Sequence, residues 1–239
     1  MKLTIPKLSL CAAIVLTMNP LNLALAENLP STTKTDKKSH ENYDITARGI
    51  HKPMYDYYAH KIKQTTQITK GICLDVGSGG GYMGLSLAQI TDLDFIFLDI
   101  SEKALEKAKQ HIIEDSLQAR AKTLLADVHA IPLDDNSIDL VISRGSIPFW
   151  KDPAKGLSEI YRVMKKGGKA YVGGGKGSPE ILEQINKKRQ ELGMKPFNGR
   201  TKQHGDGMKR DYAALLESVG ITQYKIHQGD DGRWIEMWK

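Results

Sequence analysis

An acid and three glycines stand at the spacing expected of a loop that holds a small ligand. Asp75 ends an apolar run, and Gly77, Gly79 and Gly81 follow it at intervals of two residues. Glycines let the backbone turn tightly and approach a ligand closely, although a plain tight turn also uses them. The spacing differs from the G-x-G-x-x-G of dinucleotide binders. An acid before the first glycine suits a cationic group, such as the ammonium of an amino acid.

Two further acids each follow an apolar run. Asp99 closes the run FIFLD, and an acid at the end of a second strand can accept both hydroxyls of a ribose. A helix-capping or surface acid is the alternative there. Asp127 stands in Ala126-Asp127-Val128, where a carboxylate can accept from an adenine amino group while the next backbone N–H donates to the ring. An Asp in a loop after a strand is common, but the three acids together outline one ligand with an ammonium, a ribose and an adenine.

Short apolar runs alternate with amphipathic stretches from residue 71 onward, which indicates a sheet with helices on both faces. The predicted strands are 72–76, 95–99, 123–126, 138–143 and 169–172, with closing strands 221–227 and 233–238 at one edge. The predicted helices are 82–89, 102–114, 153–165 (ended by Gly167-Gly168), 180–192 and 208–219, and Ser101 and Pro153 are start signals. The fold class is therefore α/β, a doubly wound Rossmann-like sheet, mostly parallel with an antiparallel edge strand. Its ligands belong at the carboxyl ends of the strands.

Four segments in order carry a family resemblance. They are LDVGSGGGYMGLSLA, FIFLDIS, ADVHAIPLDDNSIDLVIS and DPAKGLSEIYRVMKKGGKAYV. They resemble the class I S-adenosylmethionine-dependent methyltransferases, especially the small-molecule subgroup called methyltransferase type 11. The resemblance covers residues 43–175 well and the remainder loosely. It implies the Rossmann-like methyltransferase sheet, S-adenosyl-L-methionine as cofactor and methyl transfer as the activity.

The resemblance also implies a set of cofactor-binding residues. Asp75 and the glycine loop are expected at the methionine part, Asp99 at the ribose, Asp127 with Val128 at the adenine, and Ser143 beside the transferable methyl. The full set is Asp75, Gly77, Ser78, Gly79, Asp99, Ile100, Asp127, Val128 and Ser143.

The sequence indicates the residues that bind the methyl acceptor less clearly than those that bind the cofactor. Methyl transfer from a sulfonium needs mainly alignment and exclusion of water, so no metal site is expected, and the sequence names no catalytic base. His51 and Tyr55 are four apart in a stretch before the first strand that suits a lid, although a surface His beside a packed Tyr is the alternative. Arg144 follows the fourth strand, where it either binds an anionic group or pairs with a neighbouring acid, and Trp150 suits an apolar wall.

We expect these four residues to converge on the methyl group. The exit of the fourth strand reads SRGSIPFW and lacks the Asp/Asn-Pro-Pro-aromatic motif of enzymes that methylate amino groups of nucleic-acid bases. The net charge of +6 is mild and its basic residues are scattered among acids. The predicted partner is therefore a small-molecule acceptor and not a nucleic acid.

The amino terminus has the composition of an export signal. Lys2 and Lys7 flank the start of the apolar run 8–16, and Ala24-Leu25-Ala26 suits a signal peptidase. We therefore expect a signal peptide at 1–26, a flexible linker at 27–42 and the methyltransferase domain at 43–239. Export to the periplasm or the extracellular space follows, without a membrane span after cleavage. A cytoplasmic or membrane-anchored protein is the alternative.

Two other functions compete with an exported methyltransferase. An exported protein that binds S-adenosylmethionine or a nucleoside without turnover would keep the same three acids, and it avoids the question of how an exported enzyme obtains its methyl donor. A nicotinamide oxidoreductase is disfavoured by the glycine spacing. Cys73 is the one cysteine outside the predicted signal and stands in an apolar run, so it reads as a core residue.

Overall fold

The structure is a computed structural model that describes residues 43–197 and 210–239. The predicted signal peptide and linker, and the first two residues of the helix predicted at 208–219, lie outside these ranges. Within them, no helix has both the length and the apolar character needed to span a bilayer.

The chain alternates strands and helices much as its apolar pattern predicts. The strands are β1 (Lys70–Val76), β2 (Asp92–Asp99), β3 (Ala121–Leu125), β4 (Ile138–Arg144), β5 (Met164–Gly174), β6 (Tyr224–Gly229) and β7 (Gly232–Trp238). The helices are α1 (Lys52–Thr66), α2 (Tyr82–Ala88), α3 (Glu102–Glu114), α4 (Pro153–Val163), α5 (Pro179–Glu191) and α6 (Tyr212–Ser218). A helical turn covers residues 43–48 and a 3-10 helix covers Ile147–Phe149.

The strands form one sheet in the order β3-β2-β1-β4-β5-β7-β6. The first five strands are parallel, whereas β7 runs antiparallel to both β5 and β6. The predicted mostly parallel fold is therefore confirmed. The last strand lies inside the sheet and β6 forms the edge, because GRWIEMW buries three side chains whereas YKIHQG buries none.

The junction between α4 and β5 differs from the prediction. The helix ends at Val163 and the strand begins at Met164, so the expected helical end at Gly167-Gly168 is wrong. Met164 is fully buried and pairs with Ile138, and the register then shifts so that Lys169 pairs with Leu140. Gly167 has a φ of +79°, which permits the irregularity. The glycines therefore interrupt a strand and do not end a helix.

Side chains that accept backbone N–H groups define where two helices start. Ser101 accepts from the N–H of Ala104 at 3.3 Å, which confirms the predicted N-cap of α3, and Asp152 accepts from the N–H of Lys155 at 3.0 Å at the start of α4. Both helices begin directly after segments that the site uses. The caps therefore keep the loops beyond β2 and β4 short and ordered.

Hydrophobic clusters cover the two faces of the sheet. One cluster contains buried residues of α4 and α6, and the other contains buried residues of α1, α2 and α5. Cys73 is fully buried in the second cluster, and burial raises the pKa of its thiol well above the usual value. The carboxyl ends of β1, β2 and β4 meet at one edge between these faces, so their following loops come together there.

Candidate cofactor and acceptor site

The loop between β1 and α2 takes a backbone conformation that favours glycine. Gly77, Gly79 and Gly81 have φ values of 66°, 56° and 83°, which residues with a Cβ rarely adopt. A Cβ on Gly77 would collide with Ser146, whereas a Cβ on Gly79 would meet no atom within 4 Å. The loop therefore packs against the β4 exit at one glycine and faces open space at the next.

Asp75 lies beneath this loop with 1% of its surface exposed. Its Oδ2 accepts the backbone N–H of Gly84 in α2 at 3.0 Å. Burial raises the pKa of Asp75 to about 7, although that hydrogen bond opposes the rise, and the nearby charge of Asp99 adds a smaller increase. A cation placed next to this carboxyl would favour its ionised form.

Asp99 holds the glycine loop from the end of β2. Its Oδ2 accepts from the N–H of Gly79 at 2.7 Å and its Oδ1 from the N–H of Ser101 at 2.9 Å. Each carboxylate oxygen can accept a second hydrogen bond, so the side chain retains capacity for ligand hydroxyls. Ile100 leaves 50% of its surface exposed directly beside this carboxylate. An exposed apolar side chain, Ile100, thus lies next to the Asp99 carboxylate, a charged hydrogen-bond acceptor.

The loop after β3 presents an acceptor and a donor close together. Asp127 Oδ1 accepts from the backbone N–H of His129 at 2.9 Å and also contacts the ring Nδ1 of His129. Asp127 Oδ2 and the N–H of Val128 have no hydrogen-bond partner in the part of the chain that the structure describes. This pair is complementary to the Watson–Crick edge of adenine, which has an amino donor beside a ring-nitrogen acceptor.

Two serines lie near the glycine loop, Ser143 at the end of β4 and Ser78 within the loop itself. Ser143 is 1% exposed and donates from Oγ to the carbonyl of Val76 at 2.8 Å. The Oγ of Ser78 is buried and has no partner among the described residues. A buried hydroxyl without a partner costs free energy, and a polar ligand atom over the loop would satisfy it. The open space at Gly79, the unpaired Ser78 hydroxyl and the unpaired Asp127–Val128 edge fit a ligand with amino-acid, ribose and adenine parts.

His51 precedes α1 and is buried, with 4% of its surface exposed. Its ring lies 4.4 Å from the ring of Phe197, and its Nε2 lies 3.4 Å from Nη1 of Arg189 in α5. Burial, with smaller contributions from the charges of Arg189 and Arg144, lowers the pKa of His51 from 6.5 to about 4. The alternative of a surface histidine is therefore wrong, and this imidazole is neutral near pH 7.

Tyr55 lies one turn further along α1 and is 4% exposed. Its hydroxyl is 3.1 Å from the hydroxyl of Tyr43, and its ring centre is 5.6 Å from that of Tyr82, the first residue of α2. A Cβ on Gly80 would meet the Tyr82 ring at 2.6 Å. The aromatic rings thus connect α1 to the glycine loop, in the position expected of a lid.

Arg144 is bonded into a helix–strand interface. Its Nη2 donates to the carbonyl of Gly175 at 2.7 Å and contacts Met54 Sδ at 2.8 Å, and its Cζ lies 4.9 Å from the ring centre of Tyr55. No carboxylate of the described residues lies within ion-pair distance. The guanidinium is therefore not the free, cleft-facing cation that the sequence suggested, and it is not paired with a described acid. It fastens α1 to the end of β5.

Trp150 lies on the other face of the sheet. It is 6% exposed, donates from Nε1 to Ser146 Oγ at 2.7 Å, and occupies space that a Cβ on Gly156 would enter. It packs in the cluster that contains Val128, whereas His51 and Tyr55 lie beside the opposite cluster. Trp150 and Tyr55 therefore pack on opposite faces of the sheet, and the convergence of the four acceptor residues on the methyl group stays a prediction. The glycine in α4 leaves room that the indole fills.

Two further residues at this edge, Arg189 and Phe197, escaped the sequence argument, whereas His129 stands close enough to Asp127 in the sequence to be expected at the adenine pocket. Arg189 and Phe197 carried no signal, because Arg189 is 138 positions from the His51 it contacts. His129 had a signal in its spacing of two from Asp127, a spacing that suits an Asx-type contact. Short-range spacing therefore predicted residues of the cofactor site, whereas Arg189 and Phe197 became apparent only from the packing of distant segments.

The fold and the site define a class of protein. A doubly wound sheet with a glycine loop after β1 and acids after β2 and β3 binds a nucleoside-containing ligand at the strand ends. The antiparallel β7 between β5 and β6 distinguishes this chain from an all-parallel sheet.

The chain matches the family model described as "Methyltransferase domain" over residues 74–172. It is 32% identical over 183 residues to the ubiquinone/menaquinone biosynthesis C-methyltransferase UbiE of Rickettsia bellii, covering 74% of this chain and 71% of that protein. It is 34% identical over 100 residues to the chloroplastic 2-methyl-6-phytyl-1,4-hydroquinone methyltransferase 1 of Oryza sativa, covering 41% of this chain but only 29% of that protein. The crystal structure of a proposed S-adenosyl-L-methionine-dependent methyltransferase from Methanococcus maripaludis matches with a TM-score of 0.74 and 35% identity, over 88% of this chain and 96% of that one.

The chain belongs to the class I S-adenosylmethionine-dependent methyltransferases. The members of this family are named for methyl transfer, and the match agrees with the resemblance carried by the sequence motifs. The plant hydroquinone methyltransferases that it resembles are more than three times as long as the stretch they share with it.

Proposed function

We propose that this methyltransferase acts on a small aromatic molecule that carries an acidic hydroxyl group. The observation that carries the proposal is that aromatic rings and two arginines without ion-pair partners among the described residues lie together near the end of β4. Arg189 and Arg144 both act on the buried His51, and no described acid forms an ion pair with either arginine. Relatives named for hydroquinone and for ubiquinone or menaquinone methylation support the same acceptor class.

We assign the cofactor to the residues predicted from the sequence. Asp75 would balance the ammonium, Asp99 would accept the ribose hydroxyls, and Asp127 with Val128 would take the adenine edge. Ser78 supports this assignment through its unpaired buried hydroxyl, as does the open space at the glycine loop. The remaining assigned contacts are Gly77, Gly79, Ile100 and Ser143.

We assign the acceptor to the region where α5 meets the start of α1. Phe197 offers a ring face and Arg189 offers a cation, and the neutral His51 accepts from the Arg189 guanidinium through Nε2. A hydroxylated aromatic ring matches the first two, because its face stacks on Phe197 and its oxygen carries partial or full negative charge toward Arg189. A protonated aliphatic amine would be repelled by the Arg189 cation.

The chemistry needs little from the protein beyond placement. When bound, S-adenosylmethionine would supply a methyl group on a positively charged sulfur, which becomes a neutral thioether once that methyl is transferred. The acceptor would gain the bond to this methyl and lose one proton to solvent as its hydroxyl ionises. Neighbouring cations lower the pKa of an acidic hydroxyl, so Arg189 and Arg144 favour the ionised acceptor. His51 is a weak base with a pKa of about 4, so we assign it hydrogen bonding and not proton removal.

Exclusion of water falls to α1. Tyr55 is buried against Tyr82 above the glycine loop, and Arg144 fastens the helix to the end of β5. A closed, water-poor site strengthens electrostatic interactions at the reacting atoms. We therefore regard Arg144 as a residue that positions the lid and whose charge also reaches the acceptor.

The test is a methylation assay with methyl-deuterated S-adenosylmethionine. The full chain is incubated with 2-methylhydroquinone, with 1,4-dimethoxybenzene as the matched ring without hydroxyls, and with an aliphatic amine. We expect deuterated methyl to appear, by mass spectrometry, in the hydroquinone alone. Equal transfer to the amine, or transfer to the dimethoxy compound, contradicts the proposed acceptor class.

We also propose that the protein is exported, with residues 1–26 removed. The support is the sequence alone: two lysines, the short apolar run 8–16 and Ala24-Leu25-Ala26. Intact-mass analysis of the protein from its native host should show a chain that begins at Glu27. A full-length chain in the cytoplasmic fraction contradicts export.

A further inference from the structure

His129 connects the loop after β3 to the start of α4. The backbone N–H of Asp152 donates to its Nε2 at 3.1 Å. A backbone N–H can only donate, so Nε2 is the acceptor and the ring hydrogen of the neutral imidazole sits on Nδ1. Nδ1 therefore donates to Asp127 Oδ1, which lies within hydrogen-bond distance. The hydrogen bond from Asp152 thus fixes the tautomer in which Nδ1 can donate to Asp127.

This arrangement leaves one carboxylate oxygen of Asp127 for a ligand. Oδ1 receives both the ring hydrogen and the backbone N–H of His129, at 2.9 Å for the latter. The Asp127 side chain is 40% exposed, and among the described residues the only group of opposite-charge type within ion-pair distance is the His129 ring, which is neutral in this arrangement. An exposed carboxylate has several rotamers to lose on binding. Two hydrogen bonds to one oxygen restrict that freedom before a ligand arrives.

The other end of the bridge is a rigid anchor. Asp152 caps α4 through its side chain, which accepts from the N–H of Lys155 at 3.0 Å. The same helix contains Gly156, whose missing side chain makes room for Trp150 close to Val128. The imidazole therefore ties the orientation of Asp127 to a helix that is packed on the sheet.

We propose that His129 is a positioning residue for adenine recognition, holding Asp127 Oδ2 and the N–H of Val128 toward the base. The inference rests on the proposed cofactor site and concerns the 6-amino group, which Asp127 would recognise. Without the imidazole, Asp127 keeps its charge but loses the bond that sets its orientation. The preference for a base with a 6-amino group then decreases, while the rest of the cofactor binds as before.

The experiment compares two ligands by calorimetry on the full chain. They are S-adenosylhomocysteine and S-inosylhomocysteine, which has a 6-oxo group where adenine has its 6-amino group. Wild-type protein should prefer the adenosyl ligand. His129→Leu should lose roughly fivefold to tenfold of that preference, the effect of one typical hydrogen bond. His129→Asn places an amide N–H near the position of Nδ1 and should retain most of it.

His60→Leu is the matched control, because His60 is exposed on α1 and far in sequence from this loop. It should leave the preference unchanged. An equal loss of affinity for both ligands in His129→Leu, or an unchanged preference, contradicts the role of His129. If His129→Leu does not fold, His129→Gln takes its place: its longer side chain moves the amide away from the Nδ1 position, so it should lose the preference that His129→Asn retains, and equal preference in these two variants contradicts the role. Failure of wild-type protein to bind S-adenosylhomocysteine contradicts the cofactor site itself, which is a separate result.

Discussion

The two halves of the site are assembled over very different distances along the chain. In the cofactor half, Asp99 contacts a glycine 20 residues away and Asp127 contacts a residue two positions away. In the acceptor half, His51 meets Arg189 across 138 residues and Arg144 meets Met54 across 90. The first half consists of short loops on strand ends, and the second depends on how two helices pack.

This difference predicts how each half responds to change. Loops on a rigid sheet keep their polar atoms oriented and unpaired, which prepares them for a ligand. The acceptor half uses its cations partly to join helices, so its ligand contacts and its packing are coupled. A substitution in the cofactor half should therefore alter binding of the donor, whereas one in the acceptor half should alter turnover. Each half also contains a buried residue whose pKa is shifted toward neutrality of the side chain, Asp75 in the cofactor half and His51 in the acceptor half, and the two shifts affect stability in opposite directions of pH.

The largest effect is expected for Asp75→Asn in the absence of ligand. The pKa of Asp75 is about 7 in the folded protein and 3.8 ordinarily, so the fold holds this proton more tightly than the unfolded chain does. Wild-type stability therefore falls as pH rises from about 4 to about 7. At pH 8 the variant should be more stable by ~2–4 kcal/mol, with the difference vanishing near pH 4.

Urea unfolding at the two pH values measures this difference. Asp92→Asn changes an exposed acid on the neighbouring strand and should show no such gain. A variant that is destabilised at both pH values would mean that Asp75 is held ionised in the fold. The stabilised variant should bind S-adenosylmethionine more weakly, because it lacks the charge that balances the ammonium.

Asp99→Ala should weaken binding of S-adenosylmethionine by about 1–3 kcal/mol. The variant removes the proposed ribose acceptor and also the bond that holds the N–H of Gly79 at 2.7 Å. Calorimetry on the full chain gives the affinity. Asp94→Ala, at an exposed position on the same strand, is the control and should bind normally. Unchanged affinity in Asp99→Ala would place the ribose elsewhere.

Arg189→Gln should reduce kcat/KM for a phenolic acceptor by roughly tenfold, the effect of losing a hydrogen bond to a charged group. Affinity for S-adenosylmethionine should stay the same, since the cofactor half does not contact α5. Lys187→Gln removes an exposed charge from the same helix and should change neither quantity. Equal losses of cofactor affinity and turnover would show that the two halves are not separable.

The smallest effect is expected for His51→Gln. The pKa of His51 is about 4 in the fold and 6.5 ordinarily, so the unfolded chain binds this proton more tightly. Wild-type stability therefore decreases as pH falls from about 6.5 to about 4. The variant should lack about 1 kcal/mol of that decrease between pH 7.5 and about pH 5.8.

Thermal or urea unfolding across this range gives the comparison, with His60→Gln as a control at an exposed histidine of α1. Identical pH profiles for wild type and His51→Gln would mean that the imidazole is not shielded in solution. A steeper acid loss in the variant would contradict the direction of the shift.

The sequence supported the cofactor half well. Apolar periodicity placed the strands, and each acid stood within two residues of the end of its strand, so its position at the sheet edge followed from the parallel topology. The glycine spacing was equally local, since the positive φ values of the loop depend on neighbouring residues. The predicted start of β5 was wrong, because a double glycine occurs both at helix ends and at irregularities within strands.

The amino-acid sequence by itself determined the fold class, the order of strands and helices, and the acids that face the proposed cofactor, because these depend on periodicity and on neighbours in the chain. Only the tertiary structure decided that β7 lies between β5 and β6 in the sheet. It also decided that Trp150 packs on the face opposite Tyr55, and that Arg144 joins α1 to β5. It also brought Arg189 to His51. Those outcomes depend on which apolar faces bury each other most completely, and that competition is settled among segments far apart in the chain.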